Sequence, residues 1–124
     1  MIIAIDFDGT CVSHAYPRLG KDIGAVPVLR ELTDAGHKLI LYTMRDGELL
    51  KAAEDWFREN KIPLLDVNRN RQQVKWTSSP KVYADLYIDD AAVGCPVKYE
   101  DGERHRYVDW KRLRQMLVDY GLLE

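Results

Sequence analysis

Apolar residues run along this chain in two rhythms. Ile2-Ile3-Ala4-Ile5 and Leu39-Ile40-Leu41-Tyr42 are short unbroken runs, the form a central parallel strand takes when both its faces are covered. Between them Val26, Leu29, Leu32 and Ala35 recur at three- and four-residue steps, which predicts a helix. Pro27 fits its first turn and Gly36 the position just past its end. Leu49, Leu50, Ala53, Trp56 and Phe57 form the stripe of a second helix, with Asp46 as N-cap and Pro63 beyond its end. Leu64-Leu65-Asp66-Val67 reads as a weaker third strand and Leu86-Tyr87-Ile88 as a fourth. The polar stretch 68–80 between them predicts a loop or short helix. Val97-Lys98-Tyr99 and His105-Arg106-Tyr107-Val108 flank Glu100-Asp101-Gly102-Glu103, a hairpin pattern. Trp110, Leu113, Met116 or Leu117, and Tyr120 mark a last helix that Gly121 stops.

The β-α-β-α-β…β order predicts an α/β fold: a Rossmann-like three-layer sandwich around a mostly parallel sheet. A length of 124 residues, with no linker, repeat or low-complexity segment, predicts one domain over 1–124. The charges nearly cancel, 18 Lys+Arg against 20 Asp+Glu, so no broad positive field draws the chain to nucleic acid or anionic lipid. No apolar run approaches the ~20 residues of a membrane span, and Asp6 follows the first strand too closely for a signal peptide. Cys11 and Cys95 make no CxxC pair and suit a reduced, cytoplasmic setting.

In such a sheet ligands collect beyond the carboxyl ends of the strands. The first strand there ends in Asp6-Phe7-Asp8-Gly9-Thr10, the second meets Thr43, and the fourth runs into Asp89-Asp90. Four carboxylates on one rim repel each other and call for a cation. Oxygen ligands with no His or Cys in the motif favour Mg²⁺ over zinc.

These residues resemble the haloacid dehalogenase-like (HAD) superfamily, whose members are mostly phosphatases. Ile5-Asp6-Phe7-Asp8-Gly9-Thr10 matches its first motif, Thr43 the second, Lys81 the third and Asp89-Asp90 the fourth, in order over Ile2 to Asp90. The resemblance implies a HAD-like phosphatase, a hydrolase acting on phosphate monoesters. In it Asp6 attacks phosphorus to form an aspartyl-phosphate, and Asp8 protonates the leaving oxygen and then activates water. Thr43 and Lys81 stabilise the transferring group. Mg²⁺ is implied on Asp6, Asp8 (through its carbonyl), Asp90 and Asp89, with Asp90 favoured over Asp89 for direct contact. Lys75 lies near Lys81 and competes for its slot.

The two points where HAD enzymes insert a cap leave no room for one: 15 residues from Cys11 to Ala25, and 37 from Met44 to Pro80, mostly used by helix and strand. A capless site implies a bulky or macromolecular phosphorylated substrate, or a small one covered by a neighbouring copy in a homo-oligomer. No membrane partner is expected, and nucleic-acid ends stay among the candidates. Two non-enzyme readings compete: a receiver-like phospho-acceptor, disfavoured by motif order, and a catalytically retired HAD fold that only binds. Helix capping accounts for Asp46 and Gly47, and Arg45 stands close enough to Thr43 to touch substrate. Arg69, Arg71 and Lys75 read as a solvated face, Cys11 as packing, and Trp56 and Trp110 as core. His14, His37 and His105 lack metal-ligand spacing and receive no role.

Overall fold

The computed structural model describes residues 1–100, 102 and 104–124. Its elements are β1 (Ile2–Ile5), α1 (Ala25–Asp34), β2 (Lys38–Leu41), α2 (Gly47–Glu59), β3 (Asp66–Val67), a 3-10 helix at Arg71–Lys75, β4 (Leu86–Ile88), β5 (Val97–Lys98), β6 (Tyr107–Val108) and α3 (Trp110–Asp119). β3, β2, β1 and β4 form one sheet in that order, and every pairing is parallel. β5 and β6 pair antiparallel as a separate ribbon. The turn expected between them includes Asp101 and Glu103, which lie outside the described residues.

The chain makes these elements for local reasons. α1 buries Ala25, Val28, Leu29 and Leu32. It ends on Gly36 at φ 93°, where Gly36 N–H donates to Thr33 O and His37 N–H to Leu32 O. That double closure satisfies carbonyls the helix end leaves open, in a conformation that favours glycine. Asp46 occupies the N-cap position of α2 without a side-chain cap. Asp109 caps α3, its carboxylate accepting from Arg112 N–H at 3.2 Å. β3 is shorter than its apolar run, because only Asp66 and Val67 pair with β2.

In the register Leu39↔Ile3↔Leu86 and Leu41↔Ile5↔Ile88, odd positions of β1 share a face with their partners. That face joins buried residues of α1, α2 and α3 in one core cluster. Ala4 and Ile40, on the opposite face, are equally buried but lie outside that cluster. Right-handed crossovers put α1 and α2 on the same side, so the return from β3 to β4 must cross the other. The parallel sheet and three α-helices fit the expected Rossmann-like α/β layout. Among the described residues the third layer is no α-helix but the segment between β3 and β4, with its short 3-10 turn.

Polar side chains hold that cover in place of an apolar stripe. The buried Gln73 amide donates to Ser79 O at 3.2 Å and Lys81 O at 2.9 Å, and its carbonyl accepts from Tyr83 N–H at 2.8 Å. Asn70, also buried, donates to Tyr83 O at 3.0 Å. Among the described residues no helix is long and apolar enough to cross a membrane.

Candidate functional site

β1 and β4 are neighbours although the chain visits them first and last in the sheet, so the strand order reverses between them. This is the point at which an open α/β sheet gathers ligands. Asp6 leaves β1 and continues the ladder, its N–H donating to Ile88 O at 3.0 Å; Asp89 and Asp90 leave β4. One oxygen each from Asp6, Asp89 and Asp90 falls within 4.8 Å of the other two.

The loop after Asp6 folds back on itself. Phe7 O accepts from the N–H groups of Thr10 and Cys11 at 3.1 and 2.8 Å, while Gly9 N–H donates to Val12 O at 2.7 Å. Gly9 has φ 80°, and a Cβ there would stand 2.1 Å from His14 Nε2. A side chain at this position meets both backbone strain and a collision.

Thr10, fully buried, ties the two acidic strand ends together. Its hydroxyl lies 2.9 Å from Asp6 Oδ2 and 3.2 Å from Asp90 Oδ1, and it accepts from Asp90 N–H at 3.1 Å. Trp110 Nε1 donates to Thr10 O at 2.7 Å, anchoring this knot to α3. Thr10→Val should cost about 1–3 kcal/mol, because buried acceptors lose their donor. Thr10→Ser should recover most of it. Urea unfolding of the two variants reads the difference; equal stability of Val and Ser would remove the knot.

Asp6 bears the electrostatic load. Burial, then the neighbouring Asp89 charge, lifts its carboxyl from 3.8 to about 7; the Thr10 hydrogen bond pulls the other way and the Asp90 carboxyl adds to the rise. With only protein groups around it, the cluster is short of positive charge. A hard divalent cation bound by carboxylate oxygens at ~2.0–2.1 Å is chemically suited to supply it.

An open pocket of about 550 Å³ lies over this cluster, lined by Asp6, Asp8, Thr43, Asp89 and Asp90 together with His14, Tyr16, Met44, Arg45 and Ala91. Thr43 is held by its backbone N–H on Asn68 Oδ1 at 2.8 Å, and its hydroxyl accepts from Arg45 N–H at 3.1 Å. Its own O–H remains a donor. Five of the six residues expected at the site therefore share one pocket. The sixth, Lys81, does not line it; it lies ahead of β4, and its ammonium is 5.6 Å from the Tyr87 ring centroid.

Asp8 is placed differently from the other acids. Its side chain is outside the trio and lies in the fork of Arg45, with Nε on Oδ2 at 2.8 Å and Nη2 on Oδ1 at 2.7 Å. Arg45 is only 2% exposed, donates further to Leu49 O and Arg18 O, and has the Phe7 and Tyr16 rings 5.0 and 5.4 Å from its guanidinium carbon. The Asp8 hydrogen bonds push the Arg45 guanidinium above its ordinary range. His14, given no role in the sequence reading, also meets the site: its Nε2 is 3.0 Å from Asp90 Oδ2, and its ring neighbours that of His105 at 5.2 Å. The only sequence signal for either was position, Arg45 two residues past Thr43 and His14 in the loop after Asp8.

Cys11 packs as expected, whereas Arg69 and Arg71, read as a solvated face, reach a buried carboxylate. Cys11 is fully buried and burial pushes its thiol up. Arg69 and Arg71 lie 3.5 and 3.4 Å from the buried Asp66 carboxylate.

No protein-family model matches the chain, and no curated protein matches it. Among solved structures it is similar to a conserved protein coded by a locus of Bacteroides thetaiotaomicron, at 37% identity and a TM-score of 0.78, over 97% of this chain and 91% of that one. Likeness of that extent at that identity means common descent as well as a common fold, and the chain belongs to the family of this conserved Bacteroides protein.

Proposed function

We propose that this protein is a HAD-like, capless phosphatase that hydrolyses phosphate monoesters through an aspartyl-phosphate on Asp6, with Mg²⁺ as cofactor. The observation that carries the reading is the meeting of Asp6, Asp89 and Asp90 oxygens within 4.8 Å, under a pocket that Thr43 also lines. Asp6, Asp89 and Asp90 would hold the ion, which supplies charge neutralisation between a carboxylate and a phosphate dianion. The Asp6 carboxylate attacks phosphorus in line and the bond to the leaving oxygen breaks. Water then attacks the same phosphorus, releasing phosphate and restoring Asp6. The Thr43 hydroxyl donates to a phosphoryl oxygen as negative charge gathers there. Lys81, outside the pocket, receives no part.

The receiver-like reading meets an obstacle in topology. Receivers have the flavodoxin-like strand order 2-1-3-4-5, whereas here β1 lies between β2 and β4.

The test is a panel of phosphate esters with Mg²⁺, repeated with a chelator. Multiple turnovers that stop on chelation are expected. No hydrolysis of any ester would leave a binding module, and a long-lived phosphoprotein without turnover would restore the receiver.

A further inference from the structure

The return from β3 to β4 carries a charge pattern unlike the rest of the chain. Between Asp66 and Asp85 it holds Arg69, Arg71, Lys75 and Lys81 and no acidic residue. The near-balance of the whole chain thus hides a local excess of positive charge. Asp66 does not cancel it: one buried carboxylate stands 3.5 and 3.4 Å from two guanidiniums whose side chains are 61% and 72% exposed. Asp85, at the other end, accepts from Ile2 N–H and the Tyr83 hydroxyl.

Rings lie among these charges. Trp76 is 65% exposed and meets the exposed Tyr83 edge to face, with centroids 5.6 Å apart and planes at 84°. Such a pair steadies each ring on one side and leaves flat area to solvent. Val82 and Ala84 are buried, so Lys81 and Tyr83 alternate outward from them. The Lys81 ammonium lies over exposed Tyr87, which pairs in register with Ala4 on the sheet face that this segment crosses. The Asn70 and Gln73 amides fix the Tyr83 backbone, so the surface is built before a ligand arrives. A groove of about 450 Å³ lies in the same segment, between Asn68, Arg69 and Arg71 at one end and Ser79 and Pro80 at the other. Asn68 also holds Thr43, which lines the pocket over Asp6, so the groove and that pocket adjoin.

We infer that this surface binds single-stranded nucleic acid, its cations on the phosphates and its rings against unpaired bases. A duplex hides its base faces, and an acidic peptide brings charge without a ring at each step, so neither uses both features. The inference rests on this surface alone and holds whether or not Asp6 performs chemistry.

The test is fluorescence anisotropy of a labelled oligothymidylate of about twelve nucleotides, titrated with the wild-type chain. Saturable binding below about 100 µM is expected in about 50 mM salt, weakening by about tenfold or more at about 200 mM. No binding, or binding indifferent to salt, overturns the inference. Trp76→Ala should weaken binding by about fivefold or more, and Lys75→Glu combined with Lys81→Glu by about tenfold or more; wild-type affinity in either variant overturns it. Trp76→Phe keeps a ring for stacking and should bind within about threefold of wild type. It should also lose most of the quenching of tryptophan emission by the strand, because Trp110 is buried and Trp56 half-buried. Quenching that survives puts the bases away from Trp76 and overturns the stacking. A duplex of the same length, or polyglutamate, that competes as well as the strand overturns the choice of partner. Trp76, Lys75 and Lys81 are all exposed, so these variants leave the core untouched.

Discussion

Asp6→Asn is expected to abolish phosphate release and, in the same chain, to raise the unfolding midpoint at pH 8. The first effect follows from chemistry: a carboxamide oxygen is a poor nucleophile and a weak ligand for a hard cation, and losing an essential nucleophile costs at least about a thousandfold. The second follows from the position of Asp6 next to Asp89 and Asp90. Its carboxyl rises from 3.8 to about 7, first through burial and then through the Asp89 charge. A folded value above the unfolded one means that the folded chain binds this proton more tightly. The resulting stability is fully present below about pH 4 and is lost as pH rises through about 7. Above that, the ionised group weighs against the fold by an upper limit of about 4 kcal/mol, the shift from 3.8 to about 7 converted at 1.36 kcal/mol per unit. Asn carries no charge and keeps an oxygen for the Thr10 hydroxyl. Thermal unfolding at pH 4, 6 and 8 should show a gap in favour of Asn that opens with pH. Mg²⁺ should raise the wild-type midpoint and narrow that gap, with less effect on the variant. A variant less stable than wild type at pH 8 would show that Asp6 is not strained by its neighbours.

Such a trade of stability for a site explains what the sequence could and could not show. β1, α1, β2, α2, β4 and α3 were legible because each carries an apolar run or stripe and a stop signal, as Gly36 and Gly121 do. Asp6, Asp8, Thr43, Asp89 and Asp90 were legible as one rim because parallel strands deliver their ends to one edge. The stretch 68–80 was legible as a loop or short helix, and the structure has a 3-10 turn there, but what holds it in place was not legible. Its hold comes from the amides of Asn70 and Gln73 on backbone atoms, and no hydrophobic period announces such contacts. Lys81 does not line the pocket that holds the other five expected residues, and nearness to β4 in sequence could not say where its side chain would lie. Arg45 and His14 find partners 37 and 76 positions away. Without the fold, a buried arginine looks the same as a solvated one. Asp8, outside the acidic trio, finds its counter-charge in Arg45.

That counter-charge makes Arg45→Met the variant with the largest expected effect on the fold. Arg45 and Asp8 have side chains 1% and 16% exposed, so removing the guanidinium strands a largely buried carboxylate. Breaking such a pair from one side costs about 3–5 kcal/mol, which in a chain of this length lowers the midpoint by roughly 10–20 °C. The backbone oxygens of Leu49 and Arg18 lose their donor at the same time. Arg45→Lys should fall between wild type and Met, because an ammonium restores the charge but not the two parallel hydrogen bonds of the fork. The decisive comparison adds Asp8→Leu. If the cost of Arg45→Met is mainly a stranded charge, the double variant should be more stable than Arg45→Met alone, since replacing both partners removes the uncompensated group. If Arg45 acts mainly as a clasp between the first loop and α2, removing Asp8 as well should deepen the loss instead. Urea unfolding of the four chains closes the double-mutant cycle and separates the two terms. A penalty under about 1 kcal/mol for Arg45→Met would mean that the fork contributes little to the fold, and Asp8 would then be free to turn into the pocket.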